Sequence, residues 1–385
     1  MNNFELYNPT KLCFGEGQIA QLNTLVPENA KVLILFGGGS IKRNGTLDEV
    51  KAALADRQVS YFEGIEANPS YETMMRAVSQ VKEENIDFLL AVGGGSVIDG
   101  TKFVAAAAKF DGEPWDILLK MGANVNAALP FGTVLTLPAT GSEMNSGSVI
   151  TKKSENAKLF FGSALVYPQF SILDPTKTYS LPEKQIANGV VDAFVHTIEQ
   201  YLTYPVNAAV QDRFAEGLLL TLIEQGPRAL TEKENYDIRA NIMFTATMAL
   251  NGLIGVGVPQ DWSTHMIGHE LTALHGIDHA QTLAIVLPSA LREKAAQKEE
   301  KLAQYAERVW HIVDGDNATK AAQAISKTEE FFHTMGIKTQ LSGYGLGEDD
   351  IANIINQLEA HGRTALGEHQ DIDLTTSARI LQKSL

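Results

Sequence analysis

Four of the nine histidines fall between Thr264 and His279, namely His265, His269, His275 and His279. Imidazole is the commonest protein ligand for divalent transition metals, so this density points to a metal site. Upstream, Asp192 and His196 stand at i and i+4 in a helix-like stretch, where a carboxylate and an imidazole share one face and can grip one ion. On one unbroken helix His265 and His279 would lie about 21 Å apart, too far to share that ion. A shared ion therefore requires a break, which His275-Gly276-Ile277-Asp278 can supply if Gly276 ends one helix and Asp278 caps the next. Asp192, His196, His265 and His279 then offer one carboxylate and three imidazoles, a set suited to zinc or ferrous iron. His269, one turn beyond His265, could be a ligand or a neighbouring proton-transfer group. His275 belongs to the break, and His311, His333, His361 and His369 are scattered.

Two other motifs suit a nucleotide. Gly37-Gly38-Gly39-Ser40 and Gly93-Gly94-Gly95-Ser96 each follow a short apolar run and precede a helical pattern. Such a turn brings backbone N–H groups close to a phosphate with no Cβ in the way. Thr140-Gly141-Ser142 adds a third small-residue turn. The G-x-G-x-x-G spacing is absent, so the ordinary Rossmann fingerprint is not matched. An acid often holds a free ribose 2′-OH, yet the first turn contains none and is followed by Lys42 and Arg43. If this turn meets the adenosine ribose, NADP(H) is favoured over NAD(H).

The elements that must position these groups fall into two classes. Lys31 to Phe36, Val59 to Phe62, Asp87 to Val92 and Thr133 to Leu137 read as short strands alternating with helical spacing. Residues 1–180 are therefore expected to form a doubly wound α/β dinucleotide-binding domain. After Leu181-Pro182 the strand signals stop. Helical patterns follow to about 203 and near 207–223, 237–253, 260–274, 279–296, 299–310, 318–335 and 348–360, so residues 181–385 read as an all-α metal-binding domain. A site made jointly by two such domains would sit in a cleft between them.

Composition limits the function. With 385 residues, 44% of them hydrophobic and 20% charged, the chain can bury a large core. The net charge of −15, with no basic cluster, argues against nucleic acid as a partner. Cys13 is the only cysteine, which excludes an internal disulfide framework and a cysteine-based zinc site. No basic-then-apolar leader opens the chain and no apolar run approaches the roughly 20 residues of a spanning helix, so a cytoplasmic protein with no membrane association is expected.

The combination Asp192-x-x-x-His196, His265-x-x-x-His269 and His279, preceded by Gly93-Gly94-Gly95-Ser96-x-x-Asp99 and Ala139-Thr140-Gly141-Ser142-Glu143, resembles the iron-containing (group III) alcohol dehydrogenase family. Asn188 to His196 and Gly257-Val258-Pro259-Gln260-Asp261-Trp262 are similar to its bacterial NADPH-dependent aldehyde reductases and butanol dehydrogenases. The resemblance runs nearly end to end, although Ala139 stands where many members have glycine. It implies reversible reduction of a small aldehyde to a primary alcohol by NADPH, one zinc or iron ion, and a homodimer. Carried over by position, Asp192, His196, His265 and His279 would be the ligands and His269 would lie near the nicotinamide. Gly38, Gly39 and Ser40 would meet the 2′-phosphate. Gly94, Gly95, Ser96 and Asp99 would follow the pyrophosphate and nicotinamide, with Thr136, Thr140 and Lys158 around the ribose and phosphates. Trp262, Asn145 and Ile254 are candidates to line the substrate pocket. The same fold supports a lyase that uses NAD transiently, of the dehydroquinate synthase type, and an NAD(H)-preferring alcohol or polyol dehydrogenase. A metal hydrolase would leave the glycine turns without a use, and a non-catalytic binding protein would explain neither feature.

Overall fold

Six strands of the computed structural model, which describes residues Met1–Leu385, form one parallel sheet. They are β1 (Lys11–Phe14), β2 (Lys31–Phe36), β3 (Gln58–Glu63), β4 (Phe88–Gly94), β5 (Phe131–Leu137) and, after a separate antiparallel pair β6 (Gly147–Lys152) and β7 (Ala157–Gly162), β8 (Phe170–Leu173). The sheet order is β1-β8-β5-β4-β2-β3. Strands of this kind are buried on both faces, which is why their sequences read as continuous apolar runs. In β2, Val32, Ile34 and Phe36 join one core cluster while Leu33 and Leu35 join another. Fully burying each such side chain is worth about 1.5–3 kcal/mol, so both layers of helices are needed to hold the sheet.

The glycine turns follow from this topology. β2 and β4 are adjacent and end at the same edge, in register from Val32 against Phe88 to Phe36 against Val92. Each then passes through its glycines into a helix, Ser40–Arg43 after β2 and Gly95–Ala107 after β4.

The chain divides into two compact units that are not two consecutive stretches. The sheet unit comprises Tyr7–Leu181 and Lys233–Thr247; the helical unit comprises Met1–Leu6, Pro182–Glu232 and Met248–Leu385. Thus most of the helix Tyr236–Ala249, which sequence spacing places in the helical half, belongs with the sheet: Met243 is buried in the sheet's core and Phe244 meets Phe14 edge to face. Periodicity reports that a segment is helical, not which core it joins.

In the helical unit, Glu183–Tyr201 starts directly after Pro182 and is buried without interruption from Gly189 to Tyr201. Two further helices, Ser263–His275 and His279–Glu293, carry the histidine-rich stretch, and their Ile267, Leu271, Ile285 and Val286 share one cluster with Ile351, Ile354, Leu358 and Ile380. The required break between them is present. Gly276 adopts φ 68°, the left-handed conformation that ends helices at glycine. Asp278 occupies the N-cap position but its side chain does not cap; the carboxylate instead accepts from Asn188 and pairs with Lys184. No helix is long and apolar enough to cross a membrane.

Candidate metal centre and nucleotide turns

The helix Glu183–Tyr201 presents Asp192 and His196 one turn apart, and the break after His275 lets His279 return to His265. Asp192, His196, His265 and His279 each bring one donor atom into a group lying within 4.8 Å of one another. From Asp192 Oδ1, Nε2 is 3.6 Å away in His196, 4.0 Å in His265 and 3.6 Å in His279. A tetrahedral ion bound at about 2.1 Å needs donors about 3.4 Å apart, so this spacing and donor chemistry fit zinc or ferrous iron. The His196 and His265 rings stack at 4.6 Å, and Trp262 meets His265 edge-on at 5.2 Å. Trp262 is held in the left-handed region at φ 61°, an uncommon state for a large side chain, by the turn that opens Ser263–His275. His269 is buried, with its ring centre 5.2 Å from that of His279.

Further groups that no sequence spacing singles out by itself lie behind these candidate ligands. Glu199 follows His196 by one turn on the same helix face and its carboxylate bonds His265 Nδ1, while its other oxygen accepts from the Thr264 backbone at 2.7 Å. When the Glu199 carboxylate is ionised it accepts from Nδ1–H, which leaves the Nε2 lone pair available on the Asp192 side. Burial and the neighbouring Asp261 push the Glu199 carboxyl well up, against the Thr264 and His265 donors and Lys298. Lys298 in turn pairs with Asp261 at 3.0 Å and Glu368 at 2.6 Å. The available signal was the i, i+4, i+7 spacing of Asp192, His196 and Glu199, which puts all three on one face.

Three of the four scattered histidines have partners away from this centre: His361 bonds Glu270 at 2.9 Å, His333 bonds Thr339, and His369 stacks on Tyr204. His275 lies 3.9 Å from Asp350.

In the sheet unit, the second turn is compressed by close approach. A Cβ on Gly95 would meet Thr140 Oγ1 at 2.3 Å and one on Gly94 would meet Leu137 Cβ at 2.9 Å, so the Gly93–Ser96 and Thr140–Ser142 turns interlock. Asn68 links Ser96 and Lys158, donating from its backbone to Ser96 Oγ and accepting from Lys158 Nζ at 2.9 Å. Thr136 is buried at the end of β5. Asp99 serves the framework: it accepts from Ser142 Oγ at 2.5 Å and from the Val149 N–H at 2.9 Å. Asn145 also works internally, accepting from Lys102 and donating to the Gly141 carbonyl, and Ile254 is buried in the helical unit.

The first turn is open at Gly38 by contrast, although a Cβ on Gly37 would meet the Ile65 carbonyl at 3.0 Å. Gly38 has no atom within 4 Å of where a Cβ would stand, and Gly39 has φ 87°. Gly38 and Ser40 are exposed. The turn itself is free of acid, as its sequence has it, and an acid comes to it from the neighbouring strand: pairing of β3 with β2 puts Glu63 opposite Phe36 and beside the turn.

Comparison with known proteins agrees with this architecture. Residues 9–175 match the family described as iron-containing alcohol dehydrogenase, and residues 186–384 match the Fe-containing alcohol dehydrogenase family, C-terminal. The chain is 58% identical to NADPH-dependent aldehyde reductase YqhD of Escherichia coli (strain K12), over 99% of each chain. It is 42% identical to probable NADH-dependent butanol dehydrogenase 1 of Bacillus subtilis (strain 168), over 100% of each. Among solved structures, the NADH-dependent butanol dehydrogenase A from Thermotoga maritima has a TM-score of 0.95 at 32% identity, covering 100% of this chain and 99% of that one.

Proposed function

Because the chain belongs to the iron-containing alcohol dehydrogenase family, we propose that it is a metal-dependent oxidoreductase that reduces aldehydes to primary alcohols, reversibly, with NADPH as hydride donor. The observation that carries this reading is the convergence of Asp192, His196, His265 and His279 within 4.8 Å, in a chain that also carries two strand-to-helix glycine turns. A bound zinc or iron ion supplies Lewis-acid polarisation of a carbonyl oxygen, and a reduced nicotinamide supplies the hydride.

The residues of the chain divide the remaining work. Asp192, His196, His265 and His279 hold the ion, and Glu199 fixes the His265 tautomer that makes this possible. Gly38, Gly39 and Ser40 receive the 2′-phosphate; Gly94, Gly95 and Ser96 take the pyrophosphate through backbone N–H groups; Thr136, Thr140 and Lys158 flank the ribose and phosphates. Asp99 acts indirectly, by holding the Ser142 turn and β6 against the helix Gly95–Ala107. Trp262 closes one side of the substrate position beside the ligand histidines. His269, buried next to His279, hands the alkoxide its proton, directly or through water. The working form is a cytoplasmic homodimer, which light scattering on the purified protein checks.

The test is NADPH oxidation against a panel of aldehydes, on protein reconstituted separately with zinc and with iron. Sustained NADPH consumption with butanal, lost on chelation and restored by one of the ions, is expected. Full turnover by metal-free protein, or no oxidation with any aldehyde, would overturn the proposal. A lyase using NAD transiently would consume no net cofactor.

A further inference from the structure

Doubly wound nucleotide-binding folds place an acid at the end of the strand after the glycine turn, where its carboxylate accepts from a ribose 2′-OH. Glu63 occupies that place: it is the last residue of β3, the parallel neighbour of the turn-bearing β2. Its Oε1 lies 3.5 Å from the Cβ position of Gly39, and Arg43 Nη1 lies 3.8 Å from the same point. Its Oε2 pairs with Lys42 Nζ at 2.5 Å, and that ammonium sits 5.2 Å over the Phe36 ring. A carboxylate, an ammonium and a guanidinium thus border one open turn.

These charges favour different cofactors. A 2′-phosphate is repelled by Glu63 and must compete with it for Lys42, whereas a free 2′-OH can donate to Glu63. We propose that the Glu63–Lys42 pair sets the cofactor preference, Glu63 admitting NADH while Lys42 and Arg43 hold the 2′-phosphate of NADPH. The inference rests on assigning Gly37–Ser40 to the adenosine ribose. Both members of the pair are about half exposed, at 46% and 48%, so screening keeps the effect moderate and salt-dependent.

The test is calorimetric binding of 2′-phospho-ADP-ribose and of ADP-ribose, fragments without a nicotinamide, to the full-length wild type, Glu63→Gln and Lys42→Met. The readout is the ratio of the two affinities, which a general loss of stability would not shift in opposite directions. Glu63→Gln should raise preference for the phosphorylated fragment by roughly fivefold, and Lys42→Met should lower it by roughly as much, with both changes shrinking in high salt. The same ordering should appear in kcat/KM for NADPH against NADH. Ratios within about twofold of wild type in both variants would overturn this inference while leaving aldehyde reduction intact. Failure of the wild type to bind either fragment would remove the turn assignment and this inference together.

Discussion

Around Asp192 every candidate donor is a side chain with at most a quarter of its surface exposed, whereas around Gly39 the proposed binding surface is backbone and the Lys42–Glu63 pair is about half exposed. Behind the candidate metal pocket stand Glu199, then Asp261 and Lys298, and Glu199 holds His265 in one orientation. The first nucleotide turn has no comparable second layer. A site that must hold an ion at fixed spacing needs preorganised donors, while selectivity for a flexible nucleotide can be adjusted by exposed charges at its rim. Substitutions should therefore act all-or-none in the pocket and by degrees at the turn.

The largest effect is expected from His265→Ala or His279→Ala. Either removes one of the donors that approach Asp192 Oδ1 to 4.0 Å or less, and should abolish metal retention and lower turnover by more than about 10³-fold, with the fold intact by circular dichroism. Retained metal by elemental analysis would break the contrast between pocket and turn.

Buried charge gives the next effect, on stability. Lys298 and Lys102 are both buried, yet their titration moves oppositely. Lys298 is raised because Asp261 and Glu368 outweigh its desolvation. Lys102 is lowered to about 8, chiefly by burial, because its direct partners are the neutral Asn145 Oδ1 and Gly147 carbonyl, with Asp99 and Glu143 opposing the shift. Lys102→Met should cost about 3 kcal/mol in denaturant unfolding at pH 7, since it strips two acceptors and takes the Lys102 cation from buried Asp99 and Glu143. The pH dependence has a definite sign. Between the folded value near 8 and the ordinary value of 10.5 the unfolded chain binds the extra proton, so wild-type stability gains on the variant as pH rises through that window. A deficit that shrinks from about pH 8 to about pH 10 would contradict this.

Glu199→Gln should be milder, because it keeps shape and the ligands while replacing one of the two oxygens that face Thr264 N–H and His265 Nδ1 with an amide donor. Metal affinity should fall about 10–100-fold while all four ligands remain. Unchanged affinity in a chelator competition would show that the pocket needs no support from behind.

What is legible in the sequence follows the same division. β2, β4 and β5 stand out because strands buried on both faces are long apolar runs, and the helix break after His275 is forced by the distance between His265 and His279. β1 and β8 span only four residues each, too short for any period to register. The β6–β7 pair escapes detection because a charged turn at Lys153–Glu155 interrupts it, and with it Lys158 looks like a surface charge although it is buried against Asn68. The end of the chain offers one more case: the helix Leu374–Gln382 is too short for its pattern to stand out, although Ile380 and Leu381 are buried. Glu199 and Glu63 escape for a shared reason. An acid gains its role from a partner distant in sequence, His265 for one and the Gly39 turn for the other; local pattern shows at most that Glu199 shares a helix face with Asp192 and His196, not what it bonds.

The smallest and sharpest test compares two glycines of the two turns. At Gly95 a methyl group would overlap Thr140 Oγ1 at 2.3 Å, so Gly95→Ala must displace the Thr140–Ser142 turn even in the absence of nucleotide. It should cost about 1–3 kcal/mol of stability, as overpacking does, and raise KM for NADPH and NADH alike. At Gly38 nothing lies within 4 Å and the backbone is not in the left-handed region, so Gly38→Ala should leave unfolding unchanged to within about 0.5 kcal/mol. If the first turn receives the 2′-phosphate as proposed, its methyl group would take up that space, raising KM for NADPH severalfold and for NADH less. Equal KM changes for the two cofactors at Gly38 would move the 2′-phosphate away from the first turn, and with it the reason for reading Glu63 and Lys42 as selectors.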